Sequence, residues 1–228
     1  MGTCIILSRS GEPFRDRVEA GRLLGEELEG RNLPRAVVLG IPRGGVIVAR
    51  EVARAIGADL DVLIARKLGA PGNPELAIGA VAENGRIFID KRLALMVGAD
   101  DAYVEREKEE QLQEIARRAE RYREVRPKVA LAERPVIVTD DGVATGATVQ
   151  AALRAVRQEA PTRVILALPV GPEDSLRRLA EEADEVLCLR VPAFFAAVGQ
   201  FYERFTQTAD EELLEILEEE ANRTRGKR

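Results

Sequence analysis

The sequence predicts an α/β fold in which a parallel sheet is covered by helices on both faces. Largely apolar stretches at 36–41, 60–65, 136–139, 163–168 and 185–189, charged only at Asp61 and the leading Arg163 and Glu185, show no regular polar alternation, which suits strands buried on both sides. Between them, 46–56, 147–158 and 173–182 carry apolar residues at helical spacing. Strand–helix alternation of this kind is the pattern of a parallel sheet with crossover helices. With 228 residues and no internal repeat or low-complexity linker, the chain 1–228 reads as one domain.

Each element follows from local chemistry. An N-terminal helix is expected to run to about residue 29. The strand at 36–41 stops at Pro42, and the helix at 46–56 stops at Gly57. A second strand covers Leu60 to Ala65. Gly69 to Pro74 is turn-rich, and two short strands, 77–82 and 86–89, flank Asn84-Gly85, a strong hairpin signal. Residues 91–127 form a helical insert dominated by one helix at 101–123. Its apolar stripe, Leu112, Ile115, Ala119 and Tyr122, is narrow enough to pack on a single neighbour. That stripe suits either a solvated cap or a homodimer contact. The acidic stretch 210–223 reads as a surface helix.

Composition excludes several chemistries. The chain has no histidine, which removes the usual zinc sites and Ser-His or Cys-His nucleophile pairs. The net charge is −5, with basic residues scattered among acids, so no nucleic-acid partner is expected. Cys4 and Cys188 lie in apolar runs as reduced, buried thiols. With no signal peptide and no long apolar segment, the reading is cytoplasmic, without a membrane partner.

One segment concentrates the chemistry. Val136-Ile-Val-Thr-Asp140-Asp141 ends a buried strand in two carboxylates, and Gly142-Val143-Ala144-Thr145-Gly146-Ala147-Thr148 leads into a helix. Ligands of open parallel sheets bind beyond the carboxyl ends of the strands. Backbone amides of 143–148 and the helix start form an anion cradle, and Thr145 and Thr148 add hydroxyls. Adjacent carboxylates accept hydrogen bonds from vicinal sugar hydroxyls. The pair and the cradle together suit a ribose 5-phosphate.

Val136 to Thr148 resembles the phosphoribosyl pyrophosphate signature of type I phosphoribosyltransferases. Gly40-Ile-Pro-Arg43-Gly44-Gly45 is similar to the family's pyrophosphate loop, with Arg43 adding charge. Ile64-Ala-Arg66-Lys67 resembles the basic pair that faces pyrophosphate in some members. The resemblance implies that Asp140 and Asp141 orient the ribose hydroxyls, directly or through metal-bound water, with Mg²⁺ as cofactor. It also implies that Arg66 and Lys67 assist the departing charge. Pro192 and the aromatics after it loosely resemble a base-stacking segment, which assigns Phe195 to the acceptor. Residues 191–228, with part of the N-terminus including Phe14 to Arg17, would form the variable hood and a terminal helix.

The activity implied is displacement of pyrophosphate at ribose C1 by a nucleobase or another nitrogen nucleophile, a small-molecule acceptor. Two departures argue against a hypoxanthine or guanine enzyme. Ala144 stands where such members carry an acid, and Leu168 to Pro172 lacks their lysine. A non-catalytic, phosphoribosyl pyrophosphate-binding regulator of the same fold is the alternative.

Overall fold

The computed structural model describes residues 2–225. In chain order the elements are β1 (Thr3–Ser8), α1 (Arg17–Leu28), β2 (Val37–Gly40), α2 (Gly44–Ala55), β3 (Asp59–Val62), β4 (Ala65–Ala70), β5 (Asn73–Ala82), β6 (Ile87–Ile89), α3 (Lys91–Met96), α4 (Asp101–Val125), β7 (Pro135–Thr139), α5 (Ala147–Arg157), β8 (Arg163–Val170), α6 (Glu173–Leu179), β9 (Glu185–Arg190) and α7 (Asp210–Arg225). Six strands form a parallel sheet in the order β1-β9-β8-β7-β2-β3, and β4-β5-β6 form a separate antiparallel sheet.

Side-chain parity divides the sheet into two cores. Val38, Ile137, Ile165 and Leu187 face one cluster with Leu24 and Leu28 of α1 and Val48 and Val52 of α2. Their neighbours Val37, Val136, Val138, Val164 and Leu166 face the other, with Leu153 of α5 and Leu176 of α6. Because successive residues of a strand point to opposite faces, unbroken apolar runs serve both layers. Truncating any of these fully buried Leu or Ile side chains to Ala costs about 2–5 kcal/mol.

Four segments differ from the sequence expectation. Thr3–Ser8 is an edge strand paired to β9, outside the stretches from which the sheet is expected. The run 60–65 is split: β3 ends at Val62, and Ala65 begins β4 in the smaller sheet. Arg66 and Lys67 therefore lie within the hairpin sheet rather than at the end of a main-sheet strand. The turn-rich 69–74 stretch is mostly strand, with Gly72 at φ +72° in the tight turn between β4 and β5. Finally, α7 is no simple surface helix, since Leu213, Ile216, Leu217 and Ala221 are buried.

The hairpin across Asn84-Gly85 forms as expected, with Gly85 at φ +74°. Of the stripe on α4, Ile115 and Tyr122 are buried, while Leu112 and Ala119 pack against the same cluster half-exposed. The stripe meets more than one neighbour: α4 contacts β4, β5 and α7. Among the described residues, no helix is long and apolar enough to cross a membrane.

Candidate active site

β2 and β7 are adjacent in the middle of the sheet, so the loops after them emerge side by side. Ile41 N–H reaches across to Thr139 O at 3.0 Å. A Cβ on Gly44 would lie 2.1 Å from Asp141 Oδ2, and one on Gly45 would lie 2.8 Å from Asp140 Oδ1. No real side chain tolerates such approaches. Glycine at 44 and 45 is what lets the start of α2 touch the acidic pair. The two segments singled out in the sequence, nearly a hundred residues apart, thus form one surface. The Pro42–Arg43 peptide is cis, and the Arg43 side chain sits 3.8 Å from Asp210.

The loop from Gly142 to Gly146 has its outer carbonyls held by α6. Ser175 Oγ donates to Ala144 O at 2.6 Å and an Arg178 nitrogen donates to Thr145 O at 3.4 Å. Val143 N–H donates to Val170 O at 3.0 Å. Gly146, at φ +81°, precedes α5, whose first-turn amides lack intrahelical acceptors. Ala144, Thr145 and Thr148 are exposed and Ala147 is half-buried, so this amide-rich turn is open to an anion.

The aspartates sit in different electrostatic surroundings. Burial, and next the neighbouring Asp141 charge, push the Asp140 carboxyl well above the usual carboxylate range. Burial also raises Asp141, opposed by the Arg17 guanidinium, whose Nε donates to Oδ2 at 2.7 Å. Asp140 Oδ1 accepts from Asp141 N–H at 2.8 Å. Tyr202 Oη donates to Asp141 O at 2.5 Å, and burial raises that phenol strongly.

Arg66 and Lys67 line a cavity of about 290 Å³ with Glu107, Gln111 and Thr148. Thr148 is the member of the 143–148 loop that reaches it, and Arg66 Nε donates to Gln111 Oε1 at 2.6 Å. The structure therefore brings Gly44 and Gly45 to the acidic pair, turns the Arg43 side chain toward Asp210 instead, and sets Arg66 and Lys67 beside the anion turn. Phe195 is turned inward, stacked on Phe201 with centroids 5.2 Å apart, whereas Phe194 is 88% exposed.

Arg17 and Tyr202 contribute to this site without having been assigned a contact from sequence. Both flank segments the sequence did mark, Phe14 to Arg17 and the aromatic run ending at Tyr202. What hid them is distance along the chain. Phe14 N–H donates to Phe201 O and Glu203 N–H donates to Phe14 O, both at 2.8 Å, and this pairing of the two terminal segments carries Arg17 to Asp141.

Two carboxylates cannot hold a divalent cation alone, and no cluster of three metal-binding side chains occurs among the described residues. The arrangement suits Mg²⁺ nonetheless. That ion keeps several waters and commonly binds through one or two carboxylates plus substrate phosphates.

Known proteins resemble the chain over most of its length. A family model described as the phosphoribosyl transferase domain matches residues 18–205. Protein Rv0571c of Mycobacterium tuberculosis strain H37Rv and MT0597 of strain CDC 1551, both provisionally described as phosphoribosyl transferases, are 46% identical over 205 residues, which is 90% of this chain and 46% of theirs. The chain thus spans about half the length of these curated relatives. The crystal structure of TT1426 from Thermus thermophilus has 52% identity and a TM-score of 0.85, covering 91% of this chain and 98% of that one.

Proposed function

Because the chain belongs to the phosphoribosyl transferase domain family, we propose that it transfers the phosphoribosyl group of phosphoribosyl pyrophosphate to a small nitrogen nucleophile. The observation that carries this reading is the contact of Gly44 and Gly45 with Asp140 and Asp141. It sets an amide-rich helix start against a carboxylate pair, with the anion turn 143–148 alongside. A donor with a phosphate at one end, a diphosphate at the other and two hydroxyls between matches that sequence of groups.

In the reaction, the acceptor nitrogen forms a bond to ribose C1 while the bond from C1 to the pyrophosphate oxygen breaks. The pyrophosphate keeps the electron pair, and the acceptor loses its proton to solvent or a site base. Positive charge develops on the sugar, so positioning and electrostatics dominate catalysis. Asp140 and Asp141 accept the ribose hydroxyls and face the cationic ring. Ala144 to Thr148 hold the 5′-phosphate, Val143 being buried with its N–H committed to Val170 O, and Gly44 and Gly45 present backbone amides to the pyrophosphate. Arg43, Arg66 and Lys67 meet its growing charge as the bond breaks. Mg²⁺ bound to Asp140 or Asp141, directly or through water, would supply further neutralisation of the leaving group.

On the acceptor side, Phe195 already has one face against Phe201. A ring stacked against an acceptor is supplied more readily by Phe194, whose side chain is exposed. Ala144 leaves no carboxylate to read a purine nitrogen.

The test is calorimetric titration of phosphoribosyl pyrophosphate with and without Mg²⁺, against wild type and an Asp140→Asn/Asp141→Asn variant. Mg²⁺-dependent binding lost in the variant supports the donor assignment, and pyrophosphate release with an acceptor panel then supports transfer. Binding without release from any nitrogen acceptor favours the regulatory alternative. A folded wild type that ignores the donor ends the proposal.

A further inference from the structure

Arg17 occupies the position that a donor needs. Its Nε is 2.7 Å from Asp141 Oδ2 and would be 2.7 Å from a Cβ on Gly44. The guanidinium therefore lies between the carboxylate that would take ribose hydroxyls and the helix start that would take pyrophosphate. Only 9% of its side chain is exposed, and 15% of that of Asp141. A ligand bridging Gly44 and Asp141 cannot enter while Arg17 remains there.

The same side chain holds a second element. Arg17 Nη1 donates to Thr206 O at 2.8 Å, and its guanidinium lies 4.0 Å from the centroid of the Phe205 ring. Phe205 in turn stacks on Tyr202, whose hydroxyl donates to the backbone carbonyl of Asp141. Residues 202–206 are thus tied to the acidic pair through Arg17. On the far side, Arg17 borders a cavity of about 560 Å³ lined also by Ile47, Arg50, Glu203, Phe205 and Glu212. This gives the displaced guanidinium room and carboxylates to approach.

We infer that Arg17 is a positioning residue for the proposed transfer: it latches the 202–206 segment to Asp141 in the free protein, and donor binding opens the latch. The inference rests on the donor assignment above. When ribose hydroxyls take Asp141 Oδ2, Arg17 withdraws, its bond to Thr206 and its stack on Phe205 are lost, and 202–206 loosens. Acceptor access would then follow donor binding. A side chain that must be displaced lowers apparent donor affinity by the fraction of protein already open.

The experiment combines donor calorimetry in Mg²⁺ with hydrogen exchange read at 202–206, for wild type, Arg17→Gln, Arg17→Lys and Phe205→Leu. Exchange at Glu203 and Arg204 is informative because their amides donate to Phe14 O and Arg15 O. In wild type, saturating donor should speed exchange there. Arg17→Gln should exchange fast without donor, show no further change on adding it, and bind donor more tightly, by up to about tenfold. Arg17→Lys should retain much of the donor response, and Phe205→Leu should lose part of it while leaving Asp141 paired. Retained near-ultraviolet circular dichroism in Arg17→Gln separates unlatching from misfolding. Donor binding to wild type with unchanged exchange at 202–206 overturns the inference alone, as does a tenfold weaker donor in Arg17→Gln, which would make Arg17 a donor ligand. Absence of donor binding to wild type overturns the proposed function and the latch together.

Discussion

Asp140 is held by the fold at an energetic cost, and the sign of that cost is testable. Its carboxyl is raised first by burial and then by Asp141. A group whose pKa is raised on folding stabilises the protein fully below its unfolded value, about 3.9 for Asp, and that contribution is lost as pH rises through the folded value. Asp140→Asn cannot ionise, so it should melt higher than wild type at pH 8, by about 2–4 °C per kcal/mol recovered. The advantage should shrink as the pH is lowered, and donor binding should be lost throughout; scanning calorimetry across pH reads the first effect. Cys188 shows a simpler case. Burial pushes its thiol up to about 12, so a disulfide-exchange reagent at pH 8 should leave it unlabelled until the protein is unfolded. Thr208 Oγ1 is buried without a partner among the described residues. Thr208→Val should therefore be neutral or stabilising, by up to about 1 kcal/mol, in urea unfolding. The carboxylates, glycines and threonines of the site were legible in the sequence because their types announce an anion and a sugar. Arg17 was not, because a lone arginine in an N-terminal helix looks like any exposed arginine until Phe14 pairs beside Phe201.

At the level of elements, a buried charged cluster anchors the C-terminal end of the insert helix α4. Arg123 donates to Asp61 Oδ1 at 2.6 Å and to both oxygens of Glu83, at 2.6 and 2.7 Å. Asp61 also accepts from Val129 N–H at 2.9 Å and is almost wholly buried. Removing Arg123 would leave that carboxylate without its main counter-charge, although burial already raises it. Arg123→Ala should lose about 3–5 kcal/mol in chemical denaturation. Amides of the first half of α4, where no residue before Ile115 is buried, should exchange faster than those around Tyr122. The helix itself was readable from its stripe of four apolar residues. Its partners were not: periodicity states which face is covered, not what covers it. The split of 60–65 was likewise invisible, since no Gly, Pro or turn pair in Leu60 to Ala65 marks a change of sheet. The burial of α7 escaped for a related reason. Its glutamates dominate its composition, yet Glu220 and Glu219 are taken by Arg54.

For the molecule as a whole, alternating apolar runs and helices were enough to read a doubly covered parallel sheet. The order β1-β9-β8-β7-β2-β3 could not be read that way. That order is what makes β2 and β7 neighbours and so builds the site from distant segments. The chain leaves the main sheet after β3 at its edge, makes the hairpin, α3 and α4, and returns as β7 near its centre. Asp61 at the exit and Arg123 near the end of α4 pair across the base of this excursion. None of β4, β5 or β6 shares a backbone hydrogen-bond ladder with the main sheet. The excursion can therefore be lengthened, trimmed or tilted about its neck without breaking a single rung of the ladder that holds Asp140 and Gly44 together. It is an arm grafted at a wrist, with Arg66 and Lys67 as its fingers.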